Sequence, residues 1–195
     1  DLVRSRGLGD VYKRQVKIKN ILVSIVTSLG TVLLPRAAYY IEHQQMDEFQ
    51  KLSRKALNFV FIIASPMMIY FILFAKQGIF FLSGDAFAPA VVPMQLIMPT
   101  LLLIGITNIL GIQILVPLGY EKAVLVSEIV GAVIDLVVNA LLIPVYQSSG
   151  AAIGTLLAEF AVMVVQCIAL KNEIKTAFSD IKSVSYTHLT LPTIA

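Results

Sequence analysis

The sequence predicts an all-α polytopic transmembrane helix bundle. Three observations carry that expectation. First, the 195 residues are 57% hydrophobic and only 14% charged, where a soluble domain carries roughly 25% charge. Second, no residue between Asp85 and Glu121 is charged, although a spanning helix needs only about 20 apolar residues. Third, such apolar runs recur along the chain and are separated by short turn-like stretches, which predicts about five spans.

The spans are expected at about residues 20–41, 56–75, 89–116, 122–143 and 149–170. Pro93 and Pro99 are expected to bend the third, because proline removes a backbone donor and clashes with the preceding turn. Turn chemistry marks the connections at Ser83-Gly84-Asp85, Pro117-Leu118-Gly119 and Pro144 to Gly150. Lysine and arginine bias sets orientation. With the first span ending in the cytoplasm, the inner side holds Lys51, Arg54, Lys55, Lys122, Lys171, Lys175 and Lys182, and the outer side holds Lys17, Lys19 and Lys76. The uncharged Pro144–Gly150 turn then falls outside.

Residues 1–15 and 183–195 read as foreign to the rest. Asp10-Val11-Tyr12-Lys13-Arg14-Gln15 can be encoded by GATGTGTATAAGAGACAG. Its reverse complement, in another frame, encodes Val184-Ser185-Tyr186-Thr187-His188. One DNA element in two orientations accounts for both ends, and it resembles a transposon end used in library preparation. Such scars are set aside in fold reasoning, which leaves residues 16–182 as a partial membrane bundle. The first fifteen residues carry two of the three net positive charges. The remaining charge therefore gives no reason to expect a nucleic-acid partner. Cys167 is the only cysteine, which excludes an internal disulfide. No nucleotide, metal or hydrolase signature appears, so no cofactor, metal or catalytic residue is expected.

The fourth span is the most informative. Glu128, Asp135 and Asn139 are spaced i, i+7, i+11, which places them within about 40° on one helix face. An acid near mid-span costs roughly 2.5–3.5 kcal/mol on insertion scales and needs a cavity or a partner. Two readings stand for Asp135 and Glu128: a hydrated cavity for polar cargo or a coupling cation, or hydrogen bonding between helices by a protonated acid. Asn139 reads more as packing glue. In the fifth span Thr155, Glu159 and Gln166 share a face, with the same two readings open for Glu159. Gly150, Ala151, Ala152, Gly154 and Ala158 predict close packing beside them.

Elsewhere the signals are weaker. Ser24, Thr27, Ser28 and Thr31 form a stripe in the first span that reads as a packing face. Arg36 is either a phosphate contact or an interfacial anchor, the latter favoured by the helix C-terminal dipole. In the third span Thr100, Thr107 and Gly111 share a face, and Gln95 and Gln113 are candidates for lining. His43 sits in a polar stretch and reads as solvated.

The order of short motifs brings in a family. Val32-Leu33-Leu34-Pro35-Arg36, Met46-Asp47-Glu48-Phe49, Ser65-Pro66, Leu82 to Phe87 and Pro117 to Lys122 occur in sequence. They are followed by Gly131-Ala132-Val133-Ile134-Asp135-Leu136-Val137-Val138-Asn139, Ile143-Pro144 and Gly150 to Thr155. Together they resemble bacterial oligosaccharide and polysaccharide repeat-unit flippases of the multidrug/oligosaccharidyl-lipid/polysaccharide exporter superfamily. The resemblance covers about residues 16–182. Two positions depart from it: the family commonly has Asn at Asp135, and a Tyr-Gly pair where this chain has Tyr146 to Ser149. The resemblance implies two six-helix bundles that rock around a hydrophilic cavity in the bacterial cytoplasmic (inner) membrane. This chain then supplies about five spans of the C-terminal lobe, the N-terminal bundle being missing. The implied cargo is an oligosaccharide on undecaprenyl pyrophosphate, moved without covalent chemistry and coupled to H+, Na+ or membrane potential. The implied partners are that cargo, membrane lipids and the missing bundle. Rival readings are a multidrug extruder of the same superfamily and an integral-membrane polysaccharide enzyme. The short, chemically sparse loops argue against the enzyme.

Overall fold

The computed structural model describes residues 2–83 and 85–171. Among them the protein is all-α. The first helix, α1, runs over Leu2–Glu42 with Pro35 inside it. It passes without a break from the residues expected to be foreign into the apolar stretch Val16–Glu42. Its buried positions are Leu22, Val26, Gly30 and Ala37, which repeat at about the helical period. The expected hydroxyl stripe is not the packing face. Ser24 and Ser28 are exposed. The hydroxyls of Ser24, Thr27 and Ser28 donate back to the carbonyls of Asn20, Val23 and Ile25 on their own helix. Short hydroxyl side chains in a helix satisfy themselves on the preceding turn, so their spacing alone does not identify an interface. The side chain of Thr31 lies outside the described ones.

Helix α2, Met46–Leu73, begins where a loop was expected. Gln44 turns the chain with φ of 57°, and Asp47 and Glu48 occupy the first turn of α2, where acids complement the helix dipole. Phe49, Ala56, Leu57, Val60 and Ala64 bury one stripe. After α2 the chain forms a short helix, α3, over Ala75–Ser83, in the stretch expected to connect the second and third spans. A 3₁₀ turn over Asp85–Ala90 follows. Gly84, the centre of the turn expected there, lies outside the described residues.

The next stretch is the heart of the bundle. Helix α4 (Val91–Ile97) and helix α5 (Thr100–Asn108) are divided at Met98–Pro99, where Pro99 was expected to bend the span. The chain then widens into a π-helical segment, Ile109–Leu115. Ile97, Met98, Leu101, Ile109, Leu110 and Leu115 are almost wholly enclosed. Gly105 explains how α5 comes so close to two neighbours. A methyl group there would meet the side chains of Val60 on α2 and Val26 on α1 within 3 Å.

The last element, α6, spans Glu121–Ala169. At about 1.5 Å per residue, its 49 residues make roughly 70 Å of helix, more than twice the roughly 30 Å of a bilayer's hydrocarbon core. It does not run straight. Gln147 has φ of 52° and ψ of −123°, and the chain reverses there. The expected turn of Pro144 to Gly150 is therefore narrower than its composition suggests, with Pro144 still inside helix. The two arms, 121–146 and 148–169, pack against each other. The contacts step evenly away from the bend: Leu142 backbone on Gly150, Asn139 on Gly154, Val162 on Gly131, and Ser127 on Gln166. Among the described residues, four stretches are long and apolar enough to cross a membrane: Val16–Glu42, Met46–Leu73, Ala88–Leu115 and this hairpin.

Candidate functional site: an acid-lined cavity inside the hairpin

The hairpin buries small residues along its seam. Where the seam carries Gly131, Ala132 and Ala158, too little side chain is present to fill the space. A cavity of about 230 Å³ remains. Glu128 and Asp135 reach it from the first arm, and Thr155 and Glu159 from the second. Asp135 and Glu159 each lie twelve residues from Gln147, which is about 18 Å along either arm. The two side chains thus come from opposite arms at the same distance from the bend.

The lining is rich in acceptors. The Thr155 hydroxyl donates to the Ala151 carbonyl at 3.1 Å, so its oxygen faces the cavity as an acceptor. Asp135 Oδ1 and Asn139 Oδ1 are buried without a hydrogen-bond partner. A buried acceptor left unpaired costs roughly 1–3 kcal/mol, and it marks a place where a proton, a cation, a water or a hydroxyl group has something to gain. Half-buried Lys19 of α1 lies within electrostatic range of both Glu159 and Asp135.

A second cavity, about 220 Å³, adjoins the first. Glu128 and Glu159 border both. Its other walls come from α5, the π segment and the far end of the hairpin, including Thr107, Asn108, Gly111 and Gln166. Gln166 is 1% exposed and donates from Nε2 to Ser127 Oγ at 3.2 Å, while its Oε1 is unpaired.

The structure places Glu128, Asp135, Glu159 and Thr155 around one pocket. It gives Asn139 a seam position against Gly154. It does not bring Arg36 to this site: that side chain is exposed on α1. Nor does it use the glutamines of the third span alike. Gln95 donates to the Ile72 carbonyl at 3.0 Å and ties α4 to α2, whereas Gln113 is buried against Gly30 of α1. Thr107 and Gly111 line the second cavity, while Thr100 is fully buried and donates to the Ile97 carbonyl at 2.6 Å. Exposed His43 stacks on Tyr39 with ring centroids 4.0 Å apart and bonds the Tyr39 carbonyl. Two residues escaped the sequence reading. Asn108 carried no α-helical partner to flag it, and Lys19 looked like an ordinary flanking charge. A reading that paired Asn108 with Gln113 five residues on had a signal to find, though not at an α-helical period.

Among the described residues no three His, Cys, Asp or Glu side chains are grouped to hold a metal ion. Comparison with family models, curated proteins and solved structures finds no match to this chain.

Proposed function

We propose that this chain is part of the C-terminal bundle of a bacterial inner-membrane flippase that moves undecaprenyl-pyrophosphate-linked oligosaccharide by alternating access. The observation that carries the reading is the cavity where Glu128, Asp135 and Glu159 meet inside an apolar hairpin. Ionisable groups at such depth are costly unless they face a cavity or a partner, and they mark ion or substrate paths. The motif order from Val32 to Thr155 supports the cargo class. The cavity's acceptors fit H+ or Na+ as the coupling ion, and they also accept from sugar hydroxyls. On this reading the hairpin crosses the membrane twice, giving five passes. The chain acts with an N-terminal bundle and membrane lipids, and it catalyses no covalent step. A multidrug extruder of the same superfamily is the second reading, favoured by the same acids.

The test is complementation of a flippase-deficient strain by the full-length protein carrying Asp135→Leu or Glu159→Leu, with surface polysaccharide measured at equal protein level. Both variants should lose most of the polysaccharide, and Asp135→Asn should retain more than Asp135→Leu. Normal polysaccharide from both leucine variants reduces the acids to a structural role. Topology is tested separately. Tyr146 and Lys55 are both exposed, unlike Ser53, which is buried. In a Cys167→Ser background, an impermeant thiol reagent added outside should label Tyr146→Cys and spare Lys55→Cys. The opposite pattern inverts the orientation.

A further inference from the structure

The π-helical segment holds two amides in a position that an α-helix cannot provide. A methyl group on Gly30 of α1 would lie 2.5 Å from Asn108 Oδ1 and 2.8 Å from Gln113 Nε2. Both side chains therefore sit on one small patch of α1, although they are five residues apart. In an α-helix, residues five apart diverge by about 140°. In a π-helix the hydrogen bond runs from i to i+5, so such residues stack. The i to i+5 pairing is present here: Val116 N–H donates to the Gly111 carbonyl at 3.0 Å. The segment covers seven residues, where π-helix ordinarily occurs as a single turn and often at functional sites.

The docked arrangement is incompletely satisfied. Asn108 Oδ1 and Gln113 Oε1 are buried without a hydrogen-bond partner, and Gln113 is only 4% exposed. The same stretch of helix forms a wall of the second cavity, through Asn108, Gly111 and Ile112. Consider the wall with its extra residue per turn removed. The rotation then accumulates past Asn108 and reaches about one place around the axis by Ile112. Ile112 turns onto Gly30 where Gln113 now sits, and Gly111 takes the place of Ile112 on the cavity wall. An isoleucine side chain leaves the cavity, and the Gln113 amide leaves the α1 seam.

We infer that Ile109–Leu115 is a two-register switch, π-helical when Asn108 and Gln113 dock together on Gly30 and α-helical when Ile112 replaces Gln113 there, and that the change of register exchanges the side chains that wall the cavity beside Glu128 and Glu159. Gly30 and Gly111 fit this role. Gly30 admits either an amide pair or an isoleucine, and Gly111 leaves room beside Gln166, whose Nε2 lies 3.0 Å from the place of a Cβ. The inference concerns the helix itself and holds for any cargo.

Two measurements on the whole chain in lipid bilayers test it. The first is solid-state NMR of the unaltered sequence, recording which amide is hydrogen-bonded to the Gly111 carbonyl. Two populations are expected, one paired to Val116 as here and one to Leu115. Pairing to Val116 alone overturns the switch. The second uses Ile112→Cys with Cys167→Ser and a water-soluble thiol reagent. Ile112 is 42% exposed in the π register, so the π population labels in a fast phase. The α population, with the cysteine covered by α1, labels in a slow phase. Adding Gln113→Leu removes one unpaired amide from the docked state and should abolish the slow phase. A single fast phase with Gln113 intact, or a slow phase unchanged by Gln113→Leu, refutes the proposal.

Discussion

Two stretches of the chain are about equally apolar and are used in opposite ways. In the most apolar 18 residues of Ala88–Leu115, 56% are buried within the protein; in those of α6, only 6% are. The first is a core element, wrapped by α1, α2 and the hairpin. The second presents Leu125, Ile129, Val133, Leu136 and Leu141 outward, and sets Asp135, Asn139, Glu159 and Gln166 along a seam of glycine and alanine. Hydropathy cannot separate them, because lipid and protein interior are alike apolar. What separates them is the placement of the exceptions. In α6 the acids and glycines fall on one face of each arm, so the face toward protein is the less apolar one. In Ala88–Leu115 the polar residues Gln95, Thr107, Asn108 and Gln113 point several ways, and most directions meet protein.

The comparison predicts its own largest contrast. Leu110→Ala should cost about 2–5 kcal/mol, because Leu110 is fully enclosed and its loss leaves a cavity. Leu136→Ala, at 72% exposed, should change stability by no more than about 0.5 kcal/mol. Equilibrium unfolding of the chain in mixed micelles measures both. Equal costs would erase the distinction between the two stretches.

A smaller effect probes how the hairpin turns. Gln147 holds a positive φ, which strains a residue with a Cβ. Gln147→Gly should stabilise the hairpin by about 1 kcal/mol in the same assay. Destabilisation would show that the glutamine side chain, rather than the backbone, fixes the bend.

The smallest concerns a side-chain hydrogen bond across the seam, Gln166 to Ser127. A double-mutant cycle of Gln166→Leu and Ser127→Ala should give a coupling near 0.6 kcal/mol, as for other hydrogen bonds between membrane helices. A coupling near zero would leave packing alone to hold the arms.

The acids were legible before the fold because an ionised group in an apolar run is a strong local exception, and period alone places Glu128 and Asp135 together. The break at Pro99 was legible for the same kind of reason: proline acts through its own ring. Other features depended on partners. The turn between the arms sits at Gln147, where nothing in the residue type favours a positive φ, rather than at the proline three residues earlier. The hydroxyls of Ser24 and Ser28 looked like an interface and bond their own helix instead. The π segment left no mark in composition at all. It shows only as two amides at a spacing that α-helical reasoning discards.

The single-residue bend at Gln147 also bears on how the protein is made. With the arms joined so tightly, neither can settle in the bilayer far from the other. An arm bearing Glu128 and Asp135 alone would offer carboxyl groups to lipid at a cost of roughly 2.5–3.5 kcal/mol for the deeper one. Paired with its sister, it presents Leu125, Ile129, Val133, Leu136 and Leu141 outward, while Asp135 faces Glu159 and Thr155 across the seam. The unit that partitions from the insertion machinery is then the pair.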